Sequence, residues 1–223
     1  MTFFDRLTSA TAPQRQYLLE TQQIRDGLAG RISRETYVAY LGEAYHHVKH
    51  TVPLMQHAKA RLGDRQRWLE PAFDEYIAEE SGHELWILDD IAAAGGDADA
   101  VRTGEPQMAT EFMVAYAYDF IQRVNPVGFF GMVFVLEGTS THLATAGAEA
   151  IARSLKLPPT CFRYLTSHGS LDIEHMRFFE TLVNRIEETG DQAAIVHMAQ
   201  RMFVLFADMF RAIPHAPQVQ HAA

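Results

Sequence analysis

The sequence predicts an all-α fold. Three observations carry this prediction. Alternation of apolar and polar residues with a period of two is absent over useful lengths, and no Asn-Gly hairpin signal occurs. Glycine and proline breakers instead separate long segments in which apolar residues recur at helical spacing. A chain punctuated in this way is typical of a bundle of packed helices.

Start and stop signals define a short N-terminal helical segment and about seven longer helices. The predicted helices cover residues 3–7, 12–29, 33–62, 65–94, 107–124, 126–155, 160–189 and 192–213. Ser33 is a good N-cap for the helix that follows it, and Pro53 should kink that helix. Gly95-Gly96 and Asn125-Pro126 mark further breaks.

The predicted organisation is one helical domain over residues 1–213, followed by a disordered tail over 214–223. We find no composition shift or flexible linker that would divide the chain, and residues 97–106 read as a polar connection between helices. A chain of 223 residues is long enough to bury a substantial core without cross-links.

Composition and charge exclude several classes of protein. Apolar residues make up 48% of the chain and the net charge is −9, which argues against binding to nucleic acid or to an anionic membrane surface. The N-terminus lacks the pattern of a secretory signal, and the apolar run over residues 126–136 is too short to span a bilayer. The single cysteine, Cys161, fits a reducing cytoplasm. Nothing indicates the oligomeric state, for which a homodimer is the commonest arrangement.

His168, Asp172 and His175 form the sharpest functional signal. Their spacings of four and three residues place the three side chains within roughly 60° of one another on a helix. Imidazole and carboxylate groups on one face are ligands for iron, manganese or zinc. Gly169 and Ser170 each lower helicity here by up to about 1 kcal/mol. We therefore expect that ordering of this stretch is coupled to metal binding.

Two further segments supply acids and a histidine at matching positions. Glu80 and His83 repeat the i, i+3 spacing that di-iron helix bundles use, although neighbouring Glu79 is a rival ligand. Glu137 follows an apolar run, where a carboxylate is costly to bury unless it pairs with a cation or binds a metal. Together with the triad, these residues predict a two-metal site.

The remaining histidines have a simpler interpretation. Six of them are His46, His47, His50, His57, His142 and His197. Some could orient the metal ligands from outside the first coordination sphere. We interpret most of those on the helix over residues 33–62 as ordinary surface residues.

At the six candidate ligands the chain resembles the haem-oxygenase-like di-iron oxidases and oxygenases, whose fold is related to TenA and PqqC. The specific part is the order Glu-x-x-His, Glu, His-x-x-x-Asp-x-x-His. The resemblance implies ligand roles for Glu80 and His83, then Glu137, then His168, Asp172 and His175. Some members carry a glutamate seven residues before the first histidine, where this chain has Tyr76. The short spacing is similar to that of members that include fatty-acid decarboxylases.

The chemistry that the resemblance implies is activation of O₂ by two iron ions, with manganese or a mixed pair as alternatives. A small-molecule substrate would then be oxidised at a C–H bond or an amine, and Glu137 would be the bridging or flexible catalytic carboxylate. A fatty acid, an amino acid and an amine all remain open as substrates.

Three other functions remain open at this point, and one of them is a non-enzymatic ligand carrier or helical scaffold. A metal-independent relative of TenA or PqqC would use a cysteine nucleophile, for which Cys161 is the candidate, or a histidine-rich cavity. A haem-binding protein would need one axial histidine, and that interpretation leaves five of the six matched positions unexplained.

Overall fold

The computed structural model of the protein describes residues 1–215, apart from the side chains of residues 170 and 171. This part of the chain forms twelve α-helices and three short 3₁₀ turns, which confirms the all-α prediction. The α-helices are α1 Phe3–Ala10, α2 Ala12–Leu19, α3 Gln22–Leu28, α4 Arg34–Val48, α5 Thr51–Ala60, α6 Glu70–Glu80, α7 His83–Ala93, α8 Ala98–Thr103, α9 Met108–Arg123, α10 Phe129–Leu155, α11 Arg163–Val183 and α12 Thr189–Ala212.

Helices exceed the expected number because three of the predicted ones, over residues 12–29, 33–62 and 65–94, are broken and because α8 lies in a predicted connection. The segment over residues 12–29 is divided at Thr21, whose extended backbone makes it the N-cap of α3. The segment over 33–62 ends its first helix at Val48, and Pro53 lies in the first turn of α5. A proline is tolerated there because the N–H groups of a first turn have no partner within the helix. Pro53 therefore does not kink a continuous helix as expected.

Other boundaries agree with the local signals. Ser33 caps α4, since its hydroxyl accepts a hydrogen bond from the Thr36 backbone N–H at 3.1 Å. The connection over residues 97–106 contains the short helix α8, which begins after Asp97. Of the predicted tail, His215 lies 2.8 Å from Asp26 through Nε2 and Oδ2, and residues 216–223 lie outside the described part of the chain.

α10 is the central helix of the bundle, and it packs along both α11 and α12. Two clusters of buried apolar side chains share this helix. One includes Phe73, Phe130 and Phe179, and the other includes Tyr37 and Ile87. A stretch of each of α10 and α11 lies between the two clusters. It is near residues 137–143 on α10 and near residues 166–178 on α11.

α10 and α12 are apolar and long enough to cross a membrane by length and composition. Within the described structure, 61% of the most apolar stretch of the first helix is buried, and 50% of that of the second. Core helices of a bundle pass the same test, because they are apolar over most of their circumference.

Candidate metal centre

The six predicted ligands converge between the two apolar clusters. Glu80 ends α6, His83 begins α7, Glu137 lies on α10, and the other three lie on α11. The residues gathered there are Glu80, His83, Glu137, His168, Asp172 and His175. Five of them are less than a tenth exposed, and the side chain of His168 is 13% exposed. Such a dense group of buried ionisable side chains needs mutual compensation or a cation.

Glu80 and His83 do not share a helix, although their spacing predicts that they do. Ser81 takes an extended conformation and Gly82 a left-handed one, with φ of 92°, so the chain turns between them. The turn still brings His83 Nδ1 to 3.1 Å from Glu80 Oε2. Glycine is suited to this position because a side chain disfavours positive φ. The junction between α6 and α7 therefore sets the relative position of Glu80 and His83.

The triad lies on one continuous helix, as its spacing predicts. Asp172 Oδ1 lies 3.4 Å from His168 Nδ1 and also 3.4 Å from His175 Nδ1. Gly169 permits the close approach of α10, since a Cβ there would clash with the Thr145 hydroxyl. This packing contact is a reason for a glycine in the helix. Coupling of the order of this stretch to metal binding stays a prediction.

Asp90 ties the start of α11 to α7. Its buried carboxylate accepts the backbone N–H groups of Arg163 at 3.0 Å and of Tyr164 at 2.8 Å. These two donors belong to the first turn of α11, where they have no partner within the helix. Burial raises the pKa of Asp90 to about 6, against the opposing effect of the two hydrogen bonds. Asp90 thus fixes the triad helix relative to the helix that carries His83.

Glu137 faces the same cluster from α10. Its Oε1 lies 3.7 Å from His175 Nδ1, and its described contacts include no lysine or arginine. Burial, followed by the neighbouring carboxylates of Asp172, Glu80 and Glu79, raises the pKa of Glu137 well above its ordinary value. A carboxylate in this position is stabilised in its charged form only if a cation is close.

Two overlapping groups of potential ligand atoms are present. Glu80, His83 and His168 form one, and Glu80, Asp172 and His175 form the other, each with its ligand atoms within 4.8 Å of one another. Glu80 belongs to both groups, whereas Glu137 belongs to neither. The geometry therefore favours Glu80 over Glu137 as a carboxylate shared by two ions.

The donor set fits two transition-metal ions. Among the described residues, four buried side-chain atoms of the cluster have no hydrogen-bond partner: Glu137 Oε2, His168 Nε2, Asp172 Oδ1 and His175 Nδ1. Leaving buried polar atoms unpaired costs about 1–3 kcal/mol each, and cations between them would satisfy all four. Mixed imidazole and carboxylate donors suit iron, manganese and zinc.

The shifted pKa values of His168, Asp172 and His175 show that positive charge stabilises this triad. Burial lowers the pKa of His168 and of His175, but the close contact with Asp172 and its negative charge outweigh burial and raise both. Burial raises the pKa of Asp172, and the two histidines lower it by more. A metal ion would supply the same positive charge and release the imidazole protons.

Two residues outside the cluster orient its members. Glu79 Oε2 lies 3.0 Å from His175 Nε2, with the Glu79 side chain 47% exposed. This contact occupies the outer nitrogen of His175 and leaves Nδ1 facing the cluster, which places Glu79 as an orienting group rather than a rival ligand. The Ser140 hydroxyl donates to Asp172 Oδ2. Ser140 was not singled out in the sequence, because a lone serine in a helix carries no recognisable signal.

The interpretation of the α4 histidines as surface residues is wrong for two of them. His46 and His47 are 4% and 3% exposed. His46 Nδ1 lies 3.1 Å from Lys49 Nζ, and burial lowers the pKa of His47 to about 3, which keeps its imidazole neutral. Helical spacing alone could not find this, because α4 is buried over most of its second half.

A cavity of about 70 Å³ opens onto the cluster. Glu80, Glu137, His168 and Asp172 contribute to its wall, and most of the other lining residues are apolar. A small molecule in this cavity would contact both the candidate ligands and an apolar surface. Such a combination of apolar walls and a few convergent polar groups is typical of a substrate site.

Cys161 is placed poorly for nucleophilic catalysis. Its side chain is fully buried, and burial raises the pKa of its thiol. A reactive cysteine needs the opposite, a lowered pKa and access to substrate. The thiol belongs to the apolar cluster that contains Tyr37.

Comparison with known proteins identifies the family. Residues 38–207 match the family described as an iron-containing redox enzyme. The chain belongs to this family. Its match covers all six candidate ligands and the helices that carry them. Among proteins with curated descriptions, the sequence search finds no match.

Solved structures of the same fold come from several organisms. A domain of unknown function with a heme oxygenase-like fold from Shewanella denitrificans is 24% identical, with a TM-score of 0.82 over 96% of this chain and 92% of that chain. A TenA homologue from Pseudomonas syringae is 13% identical, with a TM-score of 0.73 over 94% and 91%. Heme oxygenase-1 from Synechocystis, solved in complex with heme, is 12% identical, with a TM-score of 0.74 over 95% and 91%. These likenesses confirm the expected fold.

Proposed function

We propose that this iron-containing redox enzyme is a non-haem di-iron oxidase or oxygenase that uses O₂ to oxidise a small organic substrate. The observation that carries the proposal is the pair of three-residue ligand groups that share Glu80. Four unpartnered buried atoms in the same cluster give it independent support. A single haem would need one axial histidine and would leave the other members of the cluster without a role.

Each iron would have its own nitrogen donors. His83 and His168 would hold one ion, His175 and Asp172 the other, and Glu80 would contact both. Glu137 would complete one coordination sphere from α10. When bound, the two ions supply the electrons and the open coordination positions that O₂ reduction requires. Manganese, or one ion of each metal, would use the same donors.

The protein's own residues would position these ligands and shield the site. Glu79 orients His175 and Ser140 orients Asp172, so that the inward atoms of both side chains are preset. Asp90 holds the start of α11, and the apolar clusters on either side keep bulk water away. The substrate would enter the cavity lined by Glu137, His168 and Asp172.

Anaerobic titration of the metal-free protein with Fe(II) tests the proposal. We expect two irons per chain and an absorbance change when O₂ is admitted. His168→Ala and Asp172→Ala should each lose at least one iron, because each removes a member of one ligand group. His142→Ala is the matched control, since His142 is an exposed histidine on α10 outside the cluster.

Three results would contradict the proposal. Full iron binding by His168→Ala and Asp172→Ala would show that the ligand assignment is wrong. One haem bound per chain with a Soret band, and no binding of Fe(II), would favour a haem protein. Turnover that survives complete removal of metal would favour a metal-independent enzyme.

A further inference from the structure

A second cavity lies beside α10 and is lined mainly by apolar residues. Its volume is about 130 Å³, and α3, α4, α11 and α12, together with Ile32 and Ile213 near helix ends, form the rest of its wall. Its apolar lining includes Ile24, Leu143, Ile151, Phe206 and Phe210. No aspartate, glutamate, lysine or arginine contributes to the wall among the described residues. Away from His168, a charged group placed there would find no side chain of opposite charge among the described residues, so that part of the cavity suits an uncharged apolar group.

This apolar cavity adjoins the cavity at the metal centre. The residues that line both are His47, Leu136, Ser140, Tyr164 and His168. His168 is a candidate metal ligand, and Ser140 donates to another one. A molecule that extends from one cavity into the other would therefore lie with one end at the metal centre.

We propose that the substrate carries an uncharged apolar arm of roughly six carbon atoms, which lies in the apolar cavity while the reacting end faces the metal centre. The inference rests on the proposed function for the reacting end. The size follows from the volume, because an apolar cavity of about 150 Å³ holds a molecule of benzene. The substrate class is thus an amphipathic molecule with an alkyl or aryl arm.

Gly147 is a position at which the size of the apolar cavity can be reduced by substitution. It is buried, lies on α10 and lines the apolar cavity. It follows Ser140 by seven residues, a distance of roughly 10 Å along a helix. Among the described residues, a Cβ at Gly147 would meet only Leu28 Cδ2, at 4.0 Å. A larger side chain can therefore grow into the cavity there without a clash at its first carbon.

Leu28 marks the outer end of the apolar cavity. It lies at the end of α3, lines the cavity and is 37% exposed. The cavity thus extends from candidate ligand His168 to a position near the protein surface. Shortening it at Gly147 should change which arm lengths fit and leave the metal centre as it is.

Calorimetric titration of the full chain with 1-alkanols from butanol to decanol tests the inference. In the parent protein, affinity should rise by about threefold to fourfold for each methylene group until the cavity is filled, and then level off. Gly147→Leu should move that limit to shorter alkanols by several carbons, and Gly147→Ala by about one. Ala146→Leu is the matched control, because Ala146 is the exposed neighbour on the same helix.

An unchanged chain-length limit in both Gly147 variants would overturn the inference, as would failure of the parent protein to bind any alkanol. Gly147→Ala is conservative enough to fold if the leucine variant does not. Iron binding, measured on the same samples, separates the two proposals. If the protein binds two irons but no alkanol, only the proposal of the apolar arm is refuted. If it binds alkanols up to a length limit but no iron, only the proposed oxidase function is refuted.

Discussion

The Glu80–His83 pair and the Asp172–His175 pair have the same spacing in sequence but are built differently. Asp172 and His175 lie within α11, one turn apart, and the helix itself sets their geometry. Glu80 and His83 lie on either side of a helix break, and Gly82 sets theirs. The two pairs nevertheless contribute to overlapping ligand groups. Equal spacing can therefore reflect two different backbone solutions to the same chemical requirement.

The two pairs connect to the rest of the cluster in different ways. Because Glu80 ends α6, its carboxylate can reach across to both halves of the cluster. The triad is confined to one face of α11 and depends on neighbours to present that face inward. Asp90 and the contact with α10 at Gly169 supply this orientation.

Removal of the shared carboxylate should have the largest effect. Glu80→Ala is expected to lose both irons, because Glu80 belongs to both ligand groups, whereas His83→Ala should lose only one. Metal analysis after reconstitution with Fe(II) measures the difference. Equal losses in the two variants would show that Glu80 has no special position between the two pairs.

Asp90 tests the connection between the helices that carry the two pairs. Its folded pKa of about 6 exceeds the ordinary value of 3.8, so its contribution to stability is present below about pH 4 and lost as pH rises through 6. The free energy of unfolding of metal-free protein should fall over this window by up to about 3 kcal/mol. Asp90→Asn should lack that part of the slope.

Denaturant unfolding at several pH values measures this effect. Asp99→Asn is the control, because Asp99 is an exposed aspartate on α8 that does not contribute to the pKa shift of Asp90. It should retain the slope of the parent protein. A parent protein whose stability rises from pH 4 to pH 7 relative to Asp90→Asn would contradict the prediction.

Substitutions at Gly82 and Gly169 distinguish the cost of an unfavourable backbone conformation from the cost of a steric clash. Gly82→Ala should cost about 1–2 kcal/mol through its positive φ alone, since no atom of the described residues lies within 4 Å of an added Cβ. Gly82→Asn should cost less, because asparagine tolerates this conformation. Gly169→Ala should cost about 1–3 kcal/mol through its clash with Thr145. Thermal unfolding measures all three, and equal costs for alanine and asparagine at position 82 would reject the backbone explanation.

Glu79→Gln should have the smallest effect. Glutamine can still contact His175 Nε2 but loses the charge, and the half-exposed position reduces the importance of that charge. We expect iron affinity to fall by about tenfold with the iron content at saturation unchanged. Glu75→Gln, an exposed residue one turn earlier on α6, is the control. Loss of one iron from Glu79→Gln would instead make Glu79 a ligand.

Much of the candidate centre could be predicted from the sequence because its ligands are strong chemical signals. Histidine and carboxylate at helical spacing define a face wherever the helix is continuous, as it is for His168, Asp172 and His175. The same reasoning selected Glu80 and His83 because they would share a face of one helix, but they lie on two different helices. It also missed Ser140 and the burial of His47, since neither residue carries a local signal.

The sequence by itself determined the helical class and most of the helix ends, because apolar periodicity, caps and breakers act over one or two turns. It also determined which residue types are available to bind metal. Only the tertiary structure decided that Glu80 is shared, that Glu79 lies outside and that an apolar cavity adjoins the centre. Those features depend on distances between helices that are remote in sequence, and such distances are set by how whole faces pack against one another.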